Sequence, residues 1–108
     1  MILSWFNTRE VDEFAQTLVD ELVKRYPPGG KDFDVRKATA RLKRTHDSLF
    51  ARARSFASSA SLNTYKIAHL GKRVKWALKE AGYPKEFGDT FTIELVTVVT
   101  IRGRKRGA

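Results

Sequence analysis

Residues 34–60 read DVRKATARLKRTHDSLFARARSFASSA, and the way this stretch folds decides the rest of the chain. On a helix, where each residue advances by about 100 degrees, Val35, Leu42, His46, Leu49, Ala53, Phe56 and Ala60 fall on one stripe. Arg36, Lys37, Arg41, Lys43, Arg44, Arg52 and Arg54 occupy the remaining surface, with Asp47 the only acid among them. The pattern predicts one long helix, apolar toward its neighbours and cationic toward water.

The flanking segments also have helical periodicity. Asn7 and Glu10 stand three apart as in a capping box, and Phe6 is placed to staple onto Val11, so a first helix is expected from near Asn7. Its buried stripe is Val11, Phe14, Ala15, Leu18, Leu22 and Tyr26, and Pro27, Pro28, Gly29 and Gly30 end it. Asp32 or Asp34 is the expected cap of the second helix. A third helix is expected over Leu62–Ala81, starting from Ser61 or Asn63 and stopped by Gly82 and Pro84. Its main apolar face is Ile67, Leu70, Gly71, Val74, Ala77, Leu78 and Ala81, while Tyr65, His69 and Trp76 lie on the other side among Lys66, Lys72, Arg73 and Lys79.

The segment from Lys85 to Ile101 fits two patterns. Phe87, Phe91, Leu95 and Val98 have helical spacing, but Thr90, Thr92, Ile93 and Val96 through Ile101 are strand formers, and several of them alternate. Ile2–Phe6 is the only candidate strand partner, and an unpaired strand is not stable alone. A fourth helix is therefore the preferred reading. The alternative is a strand paired with the N-terminus or with another copy of the chain. Arg102–Ala108 reads as a flexible basic tail.

These elements predict an all-α protein, a small antiparallel bundle of three or four helices forming a single domain over residues 1–101, with residues 102–108 as the tail. The expected core is Val11, Phe14, Leu18, Leu22, Leu42, Leu49, Phe56, Ile67, Leu70, Val74, Leu78 and the row Phe87, Phe91, Leu95. Short connections favour packing of sequential neighbours. Helix one against helix two would then join acidic rims to basic ones.

Composition narrows the function classes. The 108 residues carry a net charge of +9. Residues 1–30 hold three basic and five acidic side chains, whereas residues 31–60 hold eight and three. A body this cationic suits an acidic partner, either nucleic acid or an acidic protein. There is no cysteine, so disulfides and thiolate chemistry are excluded. The apolar run Leu95–Ile101 is far short of the roughly 20 residues that cross a bilayer. Met1–Phe6 lacks the marks of a signal peptide, which leaves a cytoplasmic location as the default and no membrane partner expected.

The basic face of the second helix is the leading site. One account makes it a solvated face, partly neutralised by Glu10, Asp12, Glu13, Asp20 and Glu21 of helix one. The other makes it a surface for nucleic-acid phosphates, extended by Arg102, Arg104, Lys105 and Arg106. Tyr65, His69 and Trp76 form a second candidate, either packed under another helix or a dimer mate, or stacking unpaired bases. The tight junction Ser58–Asn63 resembles a helix-turn-helix connection, but the second helix is too long for that motif.

No catalytic motif is present, and no enzyme activity or cofactor is expected. His46 sits on an apolar stripe, His69 has no ligand partner four residues away, and Gly29, Gly30 and Lys31 lack the pattern of a phosphate loop. The alternative to nucleic-acid binding is a protein-interaction or homodimerisation module.

Overall fold

This computed structural model describes residues 7–28, 35–60 and 62–107, with all their side chains except those of residues 35–42 and 103–107. Helix α1 spans Arg9–Arg25. Its start differs in detail from a capping box: Asn7 Oδ1 accepts from Arg9 N at 3.1 Å, and Thr8 Oγ1 donates to Asp12 at 3.2 Å. Thr8 stands at the N-cap without a side-chain capping bond, so the reciprocal bonds expected of Asn7 and Glu10 are not made. The helix stops at Tyr26, ahead of Pro27 and Pro28, as the missing N–H groups require. Phe6, the Gly29–Gly30 corner and the caps expected from Asp32 or Asp34 lie outside the described residues.

Helix α2 spans Val35–Ser59 without a break. Helix α3 spans Thr64–Ala81; Asn63 caps it by accepting from Lys66 N at 2.8 Å, and Gly82 closes it in the left-handed region at φ +100°.

Helix α4 spans Lys85–Gly107, which settles the ambiguous segment as helix. Tertiary packing overrides the strand propensity of its β-branched residues. Phe91, Leu95 and Val99 are buried at helical spacing, and Thr97 and Thr100 turn their hydroxyls back onto the carbonyls of Ile93 and Val96. The helix also runs through the residues expected as a flexible tail. Arg102, Arg104, Lys105 and Arg106 are good helix formers placed at the end of the dipole that favours cations.

The four helices form a bundle in which chain neighbours are not always space neighbours. Helix α3 packs against α1 and α4, α2 packs against α4 and more lightly against α1, and α2 and α3 stand diagonally opposed. Cross-helix bonds give the directions. Asp12–His69, Gln16–Arg73 and Tyr26–Tyr83 are each 57 residues apart, so α1 and α3 run parallel. Phe14–Phe56 and Arg25–Ser48 make α1 antiparallel to α2, and Lys75–Asp89 with Gly71–Val96 make α3 antiparallel to α4. The expected side-by-side packing of sequential helices therefore holds for α1–α2 and α3–α4 but not for α2–α3.

The core is Val11, Ala15, Leu18, Val19 and Leu22 of α1, Leu49, Phe50, Ala53 and Ala57 of α2, Leu70, Val74, Ala77 and Leu78 of α3, Tyr83, and Phe91, Leu95 and Val99 of α4. Each fully buried aliphatic side chain contributes roughly 1.5–3 kcal/mol. Of the expected core, Phe14, Phe56, Ile67 and Phe87 pack only at its margin, while Leu42 lies outside the described side chains. A ladder of rings ties α2 to the α3–α4 corner: His46 stacks on Phe50, Phe50 meets Phe91 edge-on, and Phe91, Phe87 and Tyr83 follow in turn.

Two features of this packing lead to tests. A Cβ added at Gly71 would lie 2.9 Å from Val96 Cγ2, and the branched valine has little freedom to withdraw. Overpacking costs about 1–3 kcal/mol, more than the helix-propensity gain of about 1 kcal/mol. Gly71→Ala is expected to lower stability in urea, and Val96→Ala to relieve the strain, with a coupling of about 1 kcal/mol in a double-mutant cycle.

Tyr83 donates its hydroxyl to the carbonyl of Tyr26 beyond the end of α1. Burial, with Tyr26 nearby adding to it, pushes the Tyr83 phenol well above the usual tyrosine range. Above about pH 10 the unfolded chain sheds a proton that the folded chain keeps, so stability falls as pH rises. Tyr83→Phe should cost about 1 kcal/mol at neutral pH and give a flatter alkaline denaturation profile than the wild type.

Candidate nucleic-acid interface

Helix α2 turns Thr45, Leu49, Phe50, Ala53 and Ala57 inward, which leaves its outer arc to charge. Lys43, Arg44, Arg52 and Arg54 are all exposed. By helical position Arg44 points most directly outward, Lys43 and Arg54 lie on the α4 side, and Arg52 on the α1 side. None of the four forms an ion pair among the described residues. Arg36, Lys37 and Arg41 belong to the same continuous helix, but their side chains lie outside the described ones.

Of the acids expected to neutralise this arc, Asp12, Glu13, Asp20 and Glu21 are engaged elsewhere, and Glu10 forms no ion pair with α2 among the described residues. Glu13 pairs with Arg9 and Glu21 with Arg25, each within α1. Asp20 accepts from Gln16, and Asp12 from His69 of α3 at 2.6 Å. Among the described residues the polar contact from α1 to α2 is Arg25 to the Ser48 hydroxyl at 3.2 Å, which carries no carboxylate to the basic face. The expected joining of acidic to basic rims is thus corrected: α1 gives its polar flank to α3, because the α1–α3 contact is broad and the α1–α2 contact slight.

Tyr65, His69 and Trp76 share a side of α3, but not one covered by another helix of the chain. Trp76 is 55% exposed and Tyr65 44%. Arg73 lies over the Trp76 ring, its Cζ 4.9 Å from the centroid, and donates from Nη2 to Gln16 Oε1 at 2.7 Å. Its Nη1 is out of water with no acceptor among the described residues. His69 is held by Asp12 and lies nearly parallel to Tyr65.

Two surface hollows adjoin these faces, each about 370 Å³. One lies between α2 and α4, where Phe50, Ile93 and Val98 meet His46, Glu94 and Arg54. His46 bonds Glu94 there at 2.6 Å, so this histidine is a bonded residue at the core margin. The other lies at the α3–α4 corner, lined by Lys75, Lys79, Lys85, Tyr83, Pro84 and Asp89, among others. Lys75 Nζ is 3.1 Å from Asp89 Oδ1, close enough to pair as charges without the alignment of a hydrogen bond.

Among the described residues no group of three metal-ligating side chains converges. No described helix is long and apolar enough to cross a membrane. In the C-terminal cluster, Arg102 is exposed on α4, and Arg104, Lys105 and Arg106 continue that helix with side chains outside the described ones.

Sequence reasoning missed Gln16, Glu94, Ile93 and Ile101, and it did not single out Lys75 and Lys85. Gln16 and Glu94 matter through partners 48 and 57 residues away, which no local pattern announces. Ile93 and Ile101 were readable as a second apolar side of the last helix. No protein family, curated protein or solved structure matches this chain.

Because Arg44 and Arg54 form no ion pair among the described residues, reversing their charge should not unfold the protein. Arg44→Glu and Arg54→Glu together are expected to leave the melting midpoint unchanged or slightly raised, since surface substitutions usually stay within about 0.5 kcal/mol.

Proposed function

We propose that this chain is a small, basic, non-enzymatic module that binds the phosphate backbone of nucleic acid through the outer arc of α2. The supporting observation is that Lys43, Arg44, Arg52 and Arg54 are exposed and without an ion pair among the described residues, while Asp12, Glu13, Asp20 and Glu21 of α1 are bonded elsewhere. Lys37, Arg41 and Arg44 stand one turn apart along the sequence of the helix, and like charges at that spacing repel by roughly 0.2–0.5 kcal/mol per pair. A polyanion converts that repulsion into attraction and releases its counterions. Arg36, Lys37 and Arg41 extend the arc toward the start of α2, and Arg102, Arg104, Lys105 and Arg106 add charge at the end of α4. An arc without a short recognition helix suits binding that does not depend on sequence.

Titrating a generic duplex across a salt series tests this. The affinity should fall steeply with salt, with a log–log slope of about −0.9 per phosphate contacted. Arg44→Glu with Arg54→Glu should flatten the slope by about 2. Absence of binding at about 50 mM salt would remove the proposal.

A second reading, self-association through α4, draws on a different observation. Ile93 is 67% exposed and Ile101 51%, on a helix that already buries Phe91, Leu95 and Val99 on its other side. A helix apolar on both sides usually has a partner on both. Glu86, Asp89 and Glu94 lie in the first half of α4 and Arg102, Arg104, Lys105 and Arg106 at its end, so a two-fold mate would set acids against bases. Sedimentation should show a dimer that Ile93→Glu dissociates; a monomer at every concentration would exclude this reading.

A further inference from the structure

The outer side of α3 combines features that phosphate binding by α2 does not use. Tyr65, His69, Lys72, Trp76 and Lys79 succeed one another along it at helical spacing, and the two exposed aromatics stand about 16 Å apart at about 1.5 Å per residue. Arg73, anchored by Gln16, backs one face of the Trp76 indole, and the ring is still 55% exposed. That makes the indole a fixed platform with a face left for a ligand. Lys72 and Lys79 flank it, and neither forms an ion pair among the described residues. Lys79 also lines the corner hollow with Lys85, where Lys75 already occupies the one acid, Asp89.

We propose that α3 binds single-stranded nucleic acid, stacking bases on Trp76 and Tyr65 and holding a backbone phosphate between Lys79 and Lys85 at the α3–α4 corner. Flat π faces backed by cations suit unpaired bases, and each stacked base is worth about 1–3 kcal/mol. A duplex hides its base faces and gains nothing from the indole. An acidic peptide would use the lysines but leave both rings idle. The proposal shares its ligand class with the α2 reading but none of its residues. Because α2 and α3 are diagonally opposed, the two surfaces face away from each other, and each can bind while the other is disabled.

The test uses Trp76 as its own reporter. The chain has two tryptophans, so Trp5→Phe leaves Trp76 as the sole indole in the full-length protein. This protein is titrated with an oligothymidylate of about 12 nucleotides and with a blunt duplex of the same length. The single strand should quench Trp76 emission, and the duplex should not. Trp76→Ala should weaken single-strand binding roughly 5- to 150-fold while circular dichroism stays unchanged. Lys79→Glu with Lys85→Glu should flatten the salt slope by about 2.

Arg44→Glu with Arg54→Glu should leave the quench intact even though it weakens duplex binding. No quench, equal quench by the duplex, loss of the quench in the α2 variant, or full single-strand affinity in a folded Trp76→Ala protein would each overturn the proposal. So would conversion of a dimer to monomer by Trp76→Ala. The quench needs no change at Trp76, so it decides the matter even if that variant fails to fold.

Discussion

The whole arrangement depends on α3 being apolar enough to serve two neighbours at once. Its buried row, Leu70, Val74, Ala77 and Leu78, belongs to the one core that α1 and α4 share, and Gly71 lets the Val96 and Thr92 methyls of α4 come in where any side chain would collide. With α1 and α4 both committed to α3, α2 is left the far corner of the bundle. There it buries one side against α4, touches α1 lightly, and keeps a wide arc open to water. The exposure of its arginines follows from where the other three helices find their burial.

The same geometry accounts for the charge distribution. Charges at the α1–α3 seam are settled by specific bonds, Asp12 to His69 and Arg73 to Gln16, so Asp12 is spent on α3 while Glu13, Asp20 and Glu21 are spent within α1. The repulsion this leaves on α2 is small beside the burial of Leu49 and Phe50, each worth roughly 1.5–3 kcal/mol. A helix with that much apolar anchorage tolerates a cationic exterior without an internal counter-charge.

Much of the fold was legible because its punctuation is chemical. Pro27–Pro28, Asn63 and Gly82 mark helix ends for stated reasons, a missing donor, a capping acceptor and a left-handed φ, and the helices end where these residues stand. The continuous α2 was legible from its period. Less legible was which aromatic goes deepest. Phe50 is buried and Phe56 instead stacks on Phe14 at the margin, because α4 rather than α1 is the main neighbour of α2, and periodicity does not name the neighbour. The basic residues of the candidate interface were all visible, but the lack of an ion pair at Lys43, Arg44, Arg52 and Arg54 among the described residues was not. That depends on contacts made 57 residues apart in the chain.

Helix α4 carries one more consequence. Its run from Thr90 to Ile101 is built from residues that prefer extended backbone, and Glu94 is the only charge within it. Docking against α2 and α3 is what keeps that run coiled. Outside this setting, in a nascent chain or after local opening, the same residues match the composition of segments that assemble into cross-β fibrils. The dense cluster of cations that follows, from Arg102 to Arg106, then acts as a gatekeeper, because stacking copies in register would pile like charges upon one another. By that like-charge repulsion Arg102, Arg104, Lys105 and Arg106 would disfavour such stacking.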